Sequence, residues 1–271
     1  MPNEAPSPFL YGAHVHANGI RQHYLRFGGS GSPVVVVPGI TSPAATWSFV
    51  AERLADTRDV YVLDLRGRGL SQGGPELDYS LDAYASDVAE FAKALGLDRF
   101  AVVGHSLGAR IAVRLGSRSD VPFTKLVFAD PPMSGPGRRA YGKSLEFYMS
   151  AIQKAREGGL DLSAMRQSYP TWDDAQLRAR AEWLHTCDDV AIAKSVRGFQ
   201  EEDVHKDFPL LKVPALLLVA GLGGTITKDD ISEVRRLSPA IEVRTVEKAG
   251  HMIPFDRLED FLAEVTRFLD S

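Results

Sequence analysis

The sequence predicts an α/β protein in which a mostly parallel sheet carries helices on both faces. Short apolar runs without polar alternation, such as Pro33–Val37 and Ala215–Ala220, are typical of strands buried on both faces. Segments with helical spacing of apolar residues separate these runs along the chain. With 271 residues, 44% of them hydrophobic, the chain is long enough for one such domain with an insertion.

Composition and charge exclude several classes of function. A net charge of −4 and the absence of long basic runs argue against nucleic acid as a partner. The segment Met1–Pro8 lacks the basic start and apolar run of a signal peptide, and no apolar stretch reaches membrane-spanning length. We therefore expect a cytoplasmic protein without membrane contact. Cys187, the single cysteine, rules out an internal disulfide and is expected to be a packing residue.

The N-terminal region predicts an antiparallel hairpin at one edge of the sheet. Asn18-Gly19 separates the strand-like runs Ala13–Ala17 and Ile20–Phe27. His14 and His16 alternate onto one face of the first run, which is a possible beginning of a metal site. Since no further His, Cys or Asp cluster completes such a site, we interpret them as edge or surface histidines and expect no metal.

The first parallel strand ends in a loop that has two possible roles. Gly28–Ser32 is expected to be a flexible connector, and Pro33–Val37 a buried strand followed by a helix from about 44 to 54. The backbone N–H of Ile40 can serve as an oxyanion-hole donor, or the segment can be an ordinary βα turn.

Two arginines lie between glycines after the next predicted strand, Val60–Leu63. Arg66 or Arg68 can pair with Asp64 or bind an anionic substrate, and we favour the structural pairing. A helix is predicted from about 80 to 95.

The stretch from Arg99 to Arg114 carries the strongest functional signal. Phe100–Val103 is strand-like, whereas Ser106–Gly116 has helical spacing, so a strand turns abruptly into a helix at Gly104-His105-Ser106-Leu107-Gly108. This is G-x-S-x-G in the context of a nucleophile elbow, which predicts Ser106 as a nucleophile. The backbone N–H of Leu107, at the helix N-terminus, is the second expected oxyanion donor.

A helical insertion is expected after the sixth strand, Lys125–Ala129. Residues 1–132 and 211–271 then form the two parts of the core, and residues 133–210 form a helical cap rich in aromatic and cationic side chains. Most of these side chains must be cap core or solvated. The candidates for contact with a substrate anion are Arg138, Arg139, Arg66 and Trp183.

The last part of the chain contains the expected general base and bears on which carboxylate is the acid. After Ala215–Ala220, a helix is predicted at about 228–237, a strand at 241–246 and a terminal helix. His251 follows the last strand and is the expected general base. The loop after Ala220 has glycines and no nearby carboxylate, whereas Asp130 directly follows a strand at the edge where catalytic groups gather. We favour Asp130 as the acid, with Asp229 or Asp230 as alternatives.

The chain resembles the α/β-hydrolase superfamily over nearly its whole length and, more narrowly, the N-formylmaleamate deformylases of aerobic nicotinate breakdown. The resemblance implies an eight-stranded α/β-hydrolase fold, a triad at Ser106, Asp130 and His251, and release of formate and maleamate without a cofactor. The matching segments are 17–26, 38–43, 65–71, 134–141, 180–187 and 249–254.

Alternative functions remain open from the sequence. One is hydrolysis of another small carboxylated amide or enamide, such as an acetamidomethylene succinate, and another is a carbon–carbon bond or ester hydrolase of aromatic catabolism. A non-catalytic ligand receptor on the same fold is the alternative from a different class. Haloalkane dehalogenases and epoxide hydrolases need a carboxylate where Ser106 stands. The sequence does not predict the oligomeric state.

Overall fold

An eight-stranded sheet forms the centre of the computed structural model, which describes residues 7–118, 120–158 and 161–271. Most of the N-terminal segment Met1–Pro8 lies outside the described residues. The strands follow the order β1-β2-β4-β3-β5-β6-β7-β8 across the sheet. They are β1 (Phe9–Ala17), β2 (Ile20–Phe27), β3 (Ser32–Val37), β4 (Arg58–Leu63), β5 (Phe100–His105), β6 (Phe123–Ala129), β7 (Ala215–Ala220) and β8 (Glu242–Val246).

The sheet is antiparallel at the β1–β2–β4 edge and parallel from β4 to β8. The β1–β2 hairpin turns through Asn18 and Gly19, both with positive φ, as the Asn-Gly signal predicts. Strand β1 begins at Phe9 rather than Ala13. Its first residues are exposed because β1 is an edge strand, so they lack the burial pattern on which the sequence prediction depends.

Helices cover both faces of the sheet. The predicted helix at 44–54 begins as a 3₁₀ turn over Ala44–Trp47, and the predicted terminal helix is divided at Arg257. The α-helices of the described residues are α1 (Ser48–Leu54), α2 (Leu81–Ala94), α3 (Leu107–Gly116), α4 (Leu145–Arg156), α5 (Leu162–Ser168), α6 (Asp174–Trp183), α7 (Asp189–Glu201), α8 (Lys228–Leu237), α9 (Ile253–Asp256) and α10 (Leu258–Asp270). Further 3₁₀ segments are Leu184–Thr186 and His205–Leu210.

Alternate residues of the buried strands belong to two separate cores. In β3, Val35 and Val37 pack with the side chains of α2 and α3, whereas Val34 and Val36 pack with those of α1 and α10. This division follows from the two-residue period of a strand, and it explains why the runs are apolar at every position. None of the helices in the described part of the chain is long and apolar enough to cross a membrane.

The segment between β6 and β7 contains α4 to α7 and, in its described residues, no strand. We call residues 133–210 the cap. Its helices begin at side-chain N-caps, which satisfy free backbone N–H groups. These caps are Ser144, Asp161, Asp173 and Asp188.

A buried arginine of α3 joins the beginning of the cap to its last part. Arg110 Nη1 donates to the carbonyl oxygens of Pro132 and Ser134 at 2.7 and 2.9 Å, and Nη2 donates to that of Glu202 at 2.6 Å. The segment that enters the cap after β6 and the segment that follows α7 are therefore both bound to α3, the helix that follows Ser106.

Candidate active site

The turn between β5 and α3 has the geometry of a nucleophile elbow. Ser106 adopts φ 55° and ψ −114°, a backbone conformation that L-residues rarely take. The flanking glycines are required sterically. A Cβ on Gly104 would lie 2.2 Å from the carbonyl oxygen of Gly108, and one on Gly108 would lie 1.8 Å from that of Val37. The end of β3 therefore packs directly against the elbow.

Ser106, His251 and Asp130 form a hydrogen-bonded chain. His251 Nε2 lies 3.1 Å from Ser106 Oγ, and His251 Nδ1 lies 2.6 Å from Asp130 Oδ2. The carboxylate can only accept, so Nδ1 carries a proton and Nε2 is free to accept the serine proton. The structure brings together three residues that the sequence separates by up to 145 positions.

The glycine-rich loop after β7 accommodates the carboxylate of Asp130. A Cβ on Gly224 would lie 2.1 Å from Asp130 Oδ2, so the carboxylate occupies space that any larger residue would fill. Thr225 donates its backbone N–H to the same oxygen at 2.8 Å. The loop after β7 has no nearby carboxylate of its own in the sequence, and the carboxylate that lies against it is that of Asp130, which follows the neighbouring strand β6.

The alternative acids have other partners. Asp230 forms a capping box with Thr227 at the start of α8 and contacts Arg139. Asp229 is exposed in the first turn of the same helix. Their positions are those of helix-start carboxylates.

His105, next to the nucleophile in sequence, contacts the loop of the base. Its Nε2 lies 2.9 Å from the backbone oxygen of His251, and its ring packs against Trp47. Burial lowers the pKa of His105 to about 3, so the ring is neutral near neutrality. Because a carbonyl only accepts, Nε2–H is the donor.

Backbone N–H groups face the nucleophile from two elements. Ile40 lines the cavity above Ser106, and Leu107 is the first residue of α3. Within the described chain neither N–H donates to another protein group. A donor left free at this place can stabilise negative charge on a substrate oxygen.

A buried arginine holds the Ile40 loop from behind. Arg68 Nε donates to the Ile40 carbonyl oxygen at 3.0 Å, and its Nη groups reach Tyr84 of α2 and Ser195 of the cap helix α7 at 2.5 and 2.8 Å. The side chain is 1% exposed and, in the chain as described, forms no ion pair. Every oxygen that it contacts is neutral.

A cavity of about 390 Å³ lies above Ser106 and His251, between the sheet edge and the cap. The groups that border it carry several cations and, among the described residues, no carboxylate. Its aromatic side chains are Tyr141, Phe147, Tyr148, Tyr169 and Trp172, and its cations are Arg139, Lys143 and Arg180.

Of the two arginines that border the cavity, Arg180 is the one without an ion pair among the described residues. Its guanidinium lies over the ring of Tyr169 and makes a long contact of 3.4 Å to the carbonyl oxygen of Thr41. No ion pair of Arg180 occurs among the described residues, whereas Arg139 contacts Asp230 and the Thr225 carbonyl. Arg180 is therefore available to a substrate anion.

The structure revises the other expected substrate contacts. Arg66 is buried and paired with Asp87 in α2, as the favoured structural reading predicts, although its partner is not Asp64. Arg138 forms a two-point ion pair with Glu233 of α8. Neither arginine borders the cavity, and neither does Trp183; the tryptophan that does is Trp172.

Comparison with known proteins agrees with this geometry. A profile described as the alpha/beta hydrolase family matches residues 34–265. The chain belongs to the alpha/beta hydrolase family. The fold predicted from the sequence, an eight-stranded and mostly parallel sheet with helices on both faces, is confirmed.

The relatives of this hydrolase include proteins of stated activity. It is 53% identical to N-formylmaleamate deformylase of Pseudomonas putida KT2440, over 97% of this chain and 98% of the relative. It is 26% identical to 2-(acetamidomethylene)succinate hydrolase of Mesorhizobium japonicum, over 91% of each chain. The crystal structure of a variant N-formylmaleamic acid deformylase from Pseudomonas putida S16 has a TM-score of 0.89 and 48% identity, covering 94% of this hydrolase and 100% of that chain.

Sequence reasoning missed several residues of the site. Arg180 lies in one of the cap segments that carry the family resemblance, and that position was the one available signal. His105 has no assigned role in the sequence, and the structure places its Nε2 within hydrogen-bond distance of the His251 backbone oxygen. Nothing in the sequence singles out Arg68 from Arg66.

Proposed function

We propose that this hydrolase cleaves the N-formyl C–N bond of N-formylmaleamate, giving maleamate and formate in nicotinate degradation. The observation that carries the proposal is the Ser106–His251–Asp130 chain beneath a cavity whose described lining residues include cations and no carboxylate. The 53% identity to a deformylase supports the choice of substrate.

Acylation begins at the serine. Ser106 Oγ attacks the formyl carbon while His251 Nε2 accepts the serine proton, and the formyl oxygen becomes an oxyanion beside the N–H groups of Ile40 and Leu107. Asp130 keeps the protonated imidazole in place through Nδ1–H. The imidazolium then gives its proton to the departing nitrogen, so the C–N bond breaks and maleamate leaves. That nitrogen is conjugated to a second carbonyl, which makes it a better leaving group than an ordinary amine.

Deacylation repeats the same proton transfers with water. His251 accepts a proton from a water molecule, the hydroxide attacks the formyl ester of Ser106, and the proton returns to the serine oxygen as formate leaves. No metal or cofactor is needed for these steps.

Side chains of the cap bind the substrate. The carboxylate of N-formylmaleamate pairs with Arg180, whose guanidinium can make two parallel hydrogen bonds to it. The unsaturated chain lies among the aromatic side chains that line the cavity. The partner is thus a small anionic amide, and a cytoplasmic location belongs to the same proposal.

The decisive experiment is incubation of the purified protein with N-formylmaleamate and measurement of formate. We expect continuous formate release that Ser106→Ala abolishes. Formate at the level of that variant would disprove the deformylase proposal.

A second substrate is favoured by one observation. Arg139 and Lys143 border the cavity together with Arg180, so there is cationic surface for more than one carboxylate. The relative named 2-(acetamidomethylene)succinate hydrolase supports such a dicarboxylate. Comparing acetate release from that compound with formate release from N-formylmaleamate, each as kcat/KM, separates the two candidates.

A further inference from the structure

A second cavity of about 590 Å³ lies in the cap next to the catalytic cavity. We call it the outer cavity. Its walls come from α4, α5 and α6, and the residues relevant here are Lys143, Ser150, Lys154, Asp161, Tyr169 and Arg180.

The outer cavity and the catalytic cavity share part of their walls. Thr41, Tyr148, Tyr169 and Arg180 border both of them. Lys143 and Phe147 border both cavities as well, and Arg180 extends to the carbonyl oxygen of Thr41 at this shared wall. The two cavities are therefore neighbours, and the guanidinium of Arg180 is at the wall between them.

The outer cavity is positively charged. Among its described lining residues, Lys143, Lys154 and Arg180 oppose a single carboxylate, Asp161. Asp161 accepts hydrogen bonds from the backbone N–H and hydroxyl of Ser163 at the start of α5, which lower its pKa and keep it ionised. None of the three cations forms an ion pair within residues 7–118, 120–158 and 161–271. Lys143 instead lies over the ring of Phe147.

We propose that the outer cavity is an anion-binding entrance through which the substrate carboxylate reaches Arg180 and then the catalytic cavity. The proposal rests on the proposed function to the extent that the ligand is a small carboxylate. A cleft lined by charge of one sign concentrates ions of the opposite sign and raises their rate of association. Lys154 makes the first contact, and Arg180, which borders both cavities, transfers the carboxylate inward.

A pair of chromogenic esters tests the electrostatic part without using the amide substrate. Mono-4-nitrophenyl succinate is anionic, and 4-nitrophenyl butyrate is a neutral compound of similar length. In Lys154→Glu we expect kcat/KM for the anionic ester to fall by about tenfold at low ionic strength, and by less at high salt because the charges are screened. The neutral ester should be hydrolysed at the wild-type rate.

Lys212→Glu is the matched control. Lys212 is exposed on the loop before β7, at the edge of the sheet opposite the cavities, and the substitution changes the net charge equally. It should leave both esters unaffected. Equal effects of the two substitutions on the anionic ester would overturn the proposal.

Two substitutions by tryptophan test whether the substrate enters through the outer cavity. Ser150 borders the outer cavity on an exposed turn of α4, and Gln153 is exposed on the same helix but borders neither cavity. Ser150→Trp should lower kcat/KM severalfold for both esters, whereas Gln153→Trp should not. A Ser150→Trp variant with wild-type kinetics would show that the substrate enters elsewhere.

The two proposals fail in different ways. Absence of formate from N-formylmaleamate with normal ester hydrolysis would reject the deformylase and leave the entrance testable. Formate release combined with identical behaviour of Lys154→Glu and Lys212→Glu would reject the entrance alone.

Discussion

The imidazole of His105 donates a hydrogen bond from Nε2 to the backbone carbonyl oxygen of His251, at 2.9 Å. The residue before the nucleophile thus holds the loop that carries the base. The ring centroids of the two histidines are 5.0 Å apart, and the ring of Trp47 also packs against His105. The distance between Ser106 and His251 therefore depends on a side chain outside the hydrogen-bonded chain of Ser106, His251 and Asp130.

Replacing His105 should affect turnover more than binding. His105→Phe keeps a ring but removes the donor, and we expect kcat to fall by up to about tenfold, the worth of one net hydrogen bond, with KM unchanged. His105→Gln retains a side-chain donor and should recover part of the loss. Steady-state kinetics on both variants provide the measurement, and a rise in KM without a loss in kcat would contradict a positioning role.

The pKa of His105 also predicts how stability depends on pH. The folded-state value of about 3 lies below the ordinary value of 6.5, so the unfolded chain binds a proton that the folded protein does not. The free energy of unfolding should therefore decrease as pH falls from about 6.5 towards about 3, by at most about 1.4 kcal/mol per pH unit from this group. Urea unfolding of wild type and His105→Phe at pH 5 and 7.5 measures the difference, which should be smaller in the variant. An identical pH dependence of the two proteins would contradict the assignment.

Asp130 should be the acid on which the base depends. In Asp130→Asn the amide no longer selects the Nδ1–H tautomer of His251, and we expect a loss in kcat on the order of 10⁴-fold. Asp229→Asn, an exposed carboxylate in the first turn of α8, should retain wild-type turnover. Formate release measures both variants, and the reverse ranking would assign the role of acid to the loop after β7.

Arg180 should determine the preference for anionic substrates. Arg180→Met removes the cation that we propose binds the substrate carboxylate, and we expect KM for N-formylmaleamate to rise by about 10- to 100-fold, since a charge-assisted hydrogen bond is worth about 1.5–3 kcal/mol. Hydrolysis of a neutral formate ester should change little. Arg180→Lys should fall between wild type and Arg180→Met because a point charge replaces a planar fork. An equal loss on charged and neutral substrates would indicate a structural role.

Arg68 should act on the transition state through Ile40. Arg68→Met removes the hydrogen bond to the Ile40 carbonyl, and we expect binding of a boronic acid that mimics the tetrahedral adduct to weaken by about tenfold, less than the ~10²–10³-fold loss of an oxyanion donor itself. The affinity for maleamate, a ground-state product, should remain unchanged. Ser195→Ala removes one of the contacts between Arg68 and the cap but keeps the bond to the Ile40 carbonyl, so it should have a smaller effect. Parallel weakening of both ligands would show that Arg68 only stabilises the fold.

The local parts of the site could be predicted because short-range rules determine them. The pentapeptide around Ser106 permits one strand-to-helix turn, and the glycines at 104 and 108 are needed because backbone atoms lie within 2.2 Å of any added Cβ. The place of Asp130 after a buried strand, and the absence of an acid after Ala220, are likewise visible in the chain. The predicted bounds of strands and helices were less accurate. For strands such as β1, the reason is that exposed residues lack a burial pattern.

The sequence by itself therefore determined the fold class, the strand-to-helix turn at Ser106 and the choice of Ser106, Asp130 and His251 as the candidate catalytic residues. Only the tertiary structure decided which arginine borders the catalytic cavity without an ion pair among the described residues, because helix packing in the cap brings Arg180 to Thr41, 139 positions away, and pairs Arg138 with Glu233. The same holds for His105 and Arg68, whose partners come from distant segments. Side-chain type sets what such residues can bind, but long-range packing determines which partner lies within reach.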